Sequence, residues 1–209
     1  MLIKFCGMTR QQDADVAQRL GADFCGFIFH PKSPRYIGPE SAAKIATGNA
    51  SRVGVFVKQD AAEIIETMQK ARLDFAQLHG DQDIACAKAI GPNIIRALWP
   101  ARYGQIGQIL VDAEKFAPYC QYFLLDSGKA GGGHGKATDL ASLAGLELPR
   151  PYFLAGGLNT DNIRLALARC APAGLDLNSG VEDAPGVKNA AKMAECARIA
   201  RNIETNFQH

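Results

Sequence analysis

Short apolar runs alternate with longer segments whose apolar residues recur every three or four positions, and the alternation repeats eight times along the chain. The runs predict strands at Leu2–Cys6, Phe24–Phe29, Arg52–Val57, Leu73–His79, Asn93–Trp99, Gln121–Asp126, Tyr152–Ala155 and Gly174–Asn178. Several, such as FCGFIF and YFLL, are almost continuously apolar, as parallel strands covered by helices must be. Their C-terminal ends, marked at Cys6, Phe29, Val57, His79, Trp99, Asp126, Gly156 and Ser179, lie 20–30 residues apart, room for one helix per interval. Thr9 with Gln12 forms a capping-box pattern, and Gly21 stands where that first helix should stop. Asp60 with Glu63 repeats the box before Ile64, Ile65 and Met68, which share one face. Asn159 is placed to cap NTDNIRLAL, and the last helix carries Val187, Ala190, Met193, Ala194, Ala197 and Ile203 at helical spacing.

Eight strands alternating with eight helices in 209 residues predict an α/β protein, a (βα)8 TIM barrel at the short end of that fold's range. An open doubly wound sheet also alternates β and α, but the turn after its first strand would carry a glycine fingerprint, and CGMTRQ has one glycine. No Pro- or Ser-rich linker interrupts the pattern, so the chain reads as a single domain.

Composition narrows the function. A net charge of +2, with basic residues scattered singly, argues against nucleic acid or an acidic membrane as partner. No run approaches the roughly 18 apolar residues of a membrane span, and MLIKFCGMTR has no secretory layout. A cytoplasmic enzyme is expected, with monomer as the default state. The six cysteines and four histidines show neither a disulfide framework nor metal-ligand spacing, so no metal is called for.

Barrel active sites sit at the C-terminal ends of the strands. The seventh strand ends in AGGLN and the eighth in NSGVE. Backbone N–H groups at Gly156, Gly157, Ser179 and Gly180 can approach an anion closely there, which points to a phosphorylated small-molecule substrate, although each motif alone also suits a tight turn. The loop SGKAGGGHGKATD after the sixth strand fails both the Walker and the dinucleotide patterns. It reads as a lid bringing Lys129, His134 or Lys136 to the substrate, or as a plain surface loop. Asp126 follows four largely apolar residues, where burial favours the protonated carboxyl of a general acid. Cys6 ends the first strand; Lys4, on the same strand face, can either favour its thiolate or bridge a barrel carboxylate.

Residues 4–9 (KFCGMT), 26–37 (GFIFHPKSPRYI), 52–57 (RVGVFV), 77–80 (QLHG), LLDS with GGGHGK, GGLN and NSGVE occur in this order across nearly the whole chain. Together they resemble the phosphoribosylanthranilate isomerase family. That resemblance implies an Amadori rearrangement in tryptophan biosynthesis without a cofactor. It implies Cys6 as general base, Asp126 as general acid, Arg35 as the grip on the anthranilate carboxylate, and the last two loops as the phosphate site. Gln77 and His79 match the family pattern at a strand end, where His79 is a candidate substrate contact or a structural histidine. Rival readings are less well served. A two-ended isomerase of histidine biosynthesis should pair aspartates at the first and fifth strand ends, where Cys6 and Trp99 stand. A metal-dependent epimerase would need inward His and Asp ligands on the early strands, and a binding barrel without activity would have no use for Cys6 and Asp126.

Overall fold

The computed structural model describes residues 1–103, 105–126, 143 and 145–206. Eight parallel strands close on themselves in sequence order: β1 (Leu2–Phe5), β2 (Phe24–Ile28), β3 (Ser51–Phe56), β4 (Phe75–Leu78), β5 (Ile94–Leu98), β6 (Tyr122–Asp126), β7 (Tyr152–Ala155) and β8 (Gly174–Leu177). All eight coincide with predicted runs to within two residues. The first strand pairs with the last, setting Lys4 opposite Asp176 and Phe5 opposite Leu177. This closure rules out the open sheet.

Among the described residues the helices are α1 (Gln11–Arg19), α2 (Pro39–Lys44), α3 (Ala61–Ala71), α4 (Ile84–Ile90), α5 (Ile106–Phe116), α6 (Ile163–Arg169) and α7 (Ala190–Asn206). The sixth-strand loop, with Lys129, His134 and Lys136, lies outside the described residues, as does any helix within 127–142.

Side chains alternate across each strand, and the two faces form different cores. Ile3, Phe5, Cys25, Phe27, Leu78, Phe123 and Leu125 point outward and pack in the larger cluster under the helices. Phe24, Val53, Ile95, Leu124 and Phe153 fill the barrel interior. Phe24 meets Phe75, Tyr122 and Phe153 edge-on at 5.6, 5.9 and 5.3 Å, closing the lower end of the barrel with aromatic rings. The inward positions nearer the mouth are therefore left to smaller and polar side chains.

Some local expectations need correction. The Thr9–Gln12 box does not form: Arg10 occupies the N-cap without a side-chain cap, and the Thr9 hydroxyl donates to Gly186 O at 2.6 Å. The hydroxyl serves a tertiary acceptor instead of accepting from the helix's own N–H groups. That acceptor belongs to a small hairpin absent from the sequence reading, β9 (Glu182–Ala184) with β10 (Val187–Lys188), so Val187 lies in a strand rather than in the last helix. The side chain of Asn159 accepts from the N–H groups of Asp161 and Asn162 at 2.9 and 3.1 Å, ordering the turn before α6 rather than the helix itself. The Asp60–Glu63 box is present in both directions, and Gly21 follows α1 with φ +63°, as a helix stop requires.

Candidate active site

Strand alternation determines which residues reach the mouth. Counting inward positions from the lower core along β1 gives Lys4 and then Cys6; along β4, Gln77 and then His79; along β6, Asp126; along β8, Asp176 and then Asn178. These chains converge on a cavity of about 110 Å³ at the C-terminal ends of the strands. Cys6, His79, Asp126, Gly156, Gly157 and Ser179, all expected from the sequence, line it, together with Gln77, Asp176 and Asn178. Gly180 and Arg35 are close by in the fold but do not line it.

Cys6 is 3% exposed and its N–H donates to Leu177 O at 2.9 Å, which holds it between β8 and β2. On the β2 side the space exists because residue 26 is glycine: a Cβ there would lie 2.8 Å from Cys6 Sγ and 3.1 Å from Lys4 Nζ. The Lys4 ammonium is completely buried and pairs with Asp176 Oδ1 at 2.7 Å. Lys4 thus bridges a barrel carboxylate and at the same time interacts with the thiol. Burial alone would lower its pKa, but the charges of Asp176 and of Cys6 outweigh that and raise it. The thiol does not become acidic as a result. Burial pushes Cys6 above its usual value; Lys4 and Lys188 pull it down, and Asp176 pushes it up. The push toward thiolate anticipated from Lys4 exists, but desolvation exceeds it.

Asp126, 7% exposed, ends β6 and faces His79, whose Nε2 lies 3.4 Å from Oδ2. Gln77 Nε2 contacts the other ring nitrogen of His79, Nδ1, at 3.0 Å. The imidazole also meets the ring of Trp99 edge-on at 5.1 Å.

Glycine is required at two places around the seventh and eighth strand ends. Gly156 and Gly157 adopt φ +108° and +71°, a region unfavourable to residues with a Cβ. At Gly180 a Cβ would approach Leu158 O to 2.0 Å, so the eighth loop packs directly on the backbone of the seventh. Asn162 Nδ2 donates to Gly157 O at 3.0 Å and fixes the first loop.

Arg35 is 9% exposed and forms a bidentate pair with Glu182 through Nε (2.9 and 3.0 Å) and Nη2 (2.7 Å). Glu182 also accepts from Lys188 Nζ at 2.8 Å, and the same ammonium donates to Asn178 O and Oδ1 at 3.2 and 2.9 Å. One buried lysine therefore ties the arginine's partner to the eighth loop. Burial alone would raise Glu182, yet the hydrogen bonds from Arg35 and the charge of Lys188 hold it below its usual range. Burial lowers Lys188 despite the attraction of Glu182. Sequence reading missed Asp176, Glu182 and Lys188. An aspartate at an inward position of β8 was a visible signal; the hairpin that buries Glu182 and Lys188 was too short to show a pattern.

The family model described as N-(5'phosphoribosyl)anthranilate (PRA) isomerase matches residues 3–198. The chain belongs to this family. An N-(5'-phosphoribosyl)anthranilate isomerase of Desulfovibrio desulfuricans is 53% identical over 207 residues, covering 99% of this chain and 98% of that one. The solved phosphoribosyl anthranilate isomerase of Thermotoga maritima is 30% identical with a TM-score of 0.83, covering 97% and 99% of the two chains. That of Thermus thermophilus is 37% identical with a TM-score of 0.80, covering 97% and 100%. Another family structure, 30% identical with a TM-score of 0.79, covers 97% and 100% and holds reduced 1-(o-carboxyphenylamino)-1-deoxyribulose 5-phosphate. As a member of the phosphoribosylanthranilate isomerase family the chain is an enzyme, an isomerase on a TIM barrel. No described helix is long and apolar enough to cross a membrane.

Proposed function

We propose that this chain converts N-(5'-phosphoribosyl)anthranilate to 1-(2-carboxyphenylamino)-1-deoxyribulose 5-phosphate in tryptophan biosynthesis, with Asp126 as general acid and Cys6 as general base. The observation carrying this reading is that both groups line one cavity, on strands separated by the two whose glycine loops would hold a phosphate. The Asp126 carboxyl protonates the furanose ring oxygen; the C1–O bond breaks, its electron pair stays on that oxygen, and C1 becomes an iminium. The iminium acidifies the C2 proton, which the Cys6 thiolate removes. The resulting enol amine tautomerises to the ketose, and exchange with solvent returns the proton from Cys6 and restores it to Asp126.

Burial works against the resting thiolate. Lys4 lessens the cost of forming that thiolate, and the iminium places a second positive charge next to it. Backbone groups at Gly156, Gly157, Ser179 and Gly180 take the phosphate. Arg35, whose Nε and Nη2 are occupied by Glu182, takes the anthranilate carboxylate through its remaining edge, and His79 lines the same cavity. Grips at both ends of the substrate leave its reacting carbons between acid and base. No step calls for a metal or an organic cofactor. The chain acts as a single catalytic domain in the cytoplasm, a location that six cysteines outside any disulfide suit. A monomer accords with exposed large apolar side chains at Tyr36, Val111 and Leu165, on three separate segments; one solved relative is described as mutually generated monomers of a dimeric enzyme.

The test is turnover. Cys6→Ala and Asp126→Asn should each lower kcat by about 10²–10⁴-fold, the range for general acid–base groups, measured as fluorescence loss while fresh substrate is consumed. Either variant keeping more than half of the wild-type kcat would remove that residue from its role.

A further inference from the structure

The acid is not alone at its strand end. Gln77 is 1% exposed, and its Nε2 sits 3.0 Å from His79 Nδ1. An amide nitrogen can only donate, so Nδ1 must accept, and a neutral imidazole then carries its hydrogen on Nε2. That nitrogen is the one 3.4 Å from Asp126 Oδ2. Reversing the amide would pair Oε1, which has no partner among the described residues, but would bury two unpaired donor hydrogens. The observed orientation buries one unpaired hydrogen and one acceptor, and an orphaned buried acceptor is the more readily tolerated. The orientation with Nε2 toward the ring is the less costly one.

We propose that Gln77 and His79 are positioning residues that present Asp126 for proton transfer, Gln77 by fixing the imidazole tautomer and His79 by engaging Oδ2. This rests on Asp126 being the acid. With the Nε2 hydrogen directed at Oδ2, the carboxyl proton is placed on Oδ1, from which it moves to the ring oxygen. When it moves, Asp126 becomes a carboxylate and the C1–O bond breaks; the imidazole hydrogen is not transferred. At 3.4 Å the contact is longer than the roughly 2.7–2.9 Å of a charge-assisted bond, so it has room to shorten as negative charge develops. An interaction stronger in the transition state than in the ground state acts on kcat rather than on KM.

Other charged and titratable groups face the pair as well. Asp176 of β8, paired to Lys4, and the Cys6 thiol of β1 line the same cavity. Arg102 lies 4.0 Å above the ring of Trp99, on which His79 packs. Trp99 is the sole tryptophan, and an imidazolium beside indole quenches its emission, so fluorescence reports the charge on His79 without any turnover.

Gln77→Glu keeps the shape but turns the donor into an acceptor. The tautomer inverts or the imidazole becomes charged, and in both cases Asp126 is no longer presented as a protonated acid. The expected result is a loss in kcat of about tenfold or more with KM within about threefold, and a Trp99 emission step that moves to higher pH because the new carboxylate favours imidazolium. His79→Gln, whose Nε2 can replace the imidazole donor, should retain most of kcat, while His79→Asn, whose amide is too short to reach Oδ2, should not. In an Asp126→Asn background, Gln77→Glu should cost nothing further. If Asp126→Asn is inactive but Gln77→Glu leaves kcat intact, or the two His79 variants lose equally, the positioning role is overturned while the acid stands. An Asp126→Asn enzyme that remains active removes the acid itself. An unmoved emission step in Gln77→Glu refutes the contact between Gln77 and Nδ1.

Discussion

Replacing Lys4 by Met tests the polar layer beneath the catalytic thiol. Methionine fills the space of the lysine stem, so the cavity term is small, and what is removed is the buried ammonium. At the observed 2.7 Å from Asp176, and with an effective dielectric constant of about 20, the attraction lost is about 6 kcal/mol. Desolvating the ammonium costs several kcal/mol in the wild type, and that cost disappears with it. The remaining penalty is a carboxylate that is 8% exposed with no countercharge, and breaking such a pair from one side costs about 3–5 kcal/mol. In urea, with a slope of about 2 kcal/mol per molar, the unfolding midpoint should fall by about 1.5–2.5 M. The double variant Lys4→Met/Asp176→Leu leaves no lone charge and should recover at least half of the loss. Alkylation of Cys6 by iodoacetamide at a fixed pH should slow in Lys4→Met, because Lys4 pulls down a thiol that burial pushes up. A single variant within 1 kcal/mol of wild type (about a fivefold change in the folding equilibrium), or a double variant no more stable than the single, would refute this account of the layer.

Glu182 should contribute to acid stability. Its folded pKa is held below the usual value of 4.5, so its contribution is complete above that value and is lost as pH falls through the lower, folded one; pH-dependent melts should show an acid decline that Glu182→Gln flattens. Gly180→Ala should raise KM strongly with a smaller effect on kcat, since the new methyl meets Leu158 O and displaces the proposed phosphate loop; an unchanged KM would argue against that loop. In the ligand-free protein iodoacetamide should reach Cys86 before Cys6, because Cys86 alone among the six thiols is not buried. Peptide mapping that finds Cys6 labelled first would contradict the burial of the base.

What the sequence by itself determined is the part governed by local physics. Parallel strands buried on both faces are continuous apolar runs, so all eight were visible, and their spacing demanded crossover helices. Strand-end position made Cys6, Asp126 and the four loop residues candidates, while the family resemblance pointed to His79 and to the roles of Cys6 and Asp126. Closure of the barrel could only be inferred from the missing glycine fingerprint, because the pairing of β1 with β8 joins residues some 170 positions apart. Long-range charge pairing was out of reach for the same reason. No local rule links Lys4 to Asp176, or Arg35 to Glu182 and Lys188, and the Thr9 hydroxyl left its own helix for Gly186. The balance at Cys6 was likewise a tertiary decision: sequence showed the lysine two residues away, but only the packed barrel, with Gly26 making room and nearly all solvent excluded, allows desolvation to outweigh that charge.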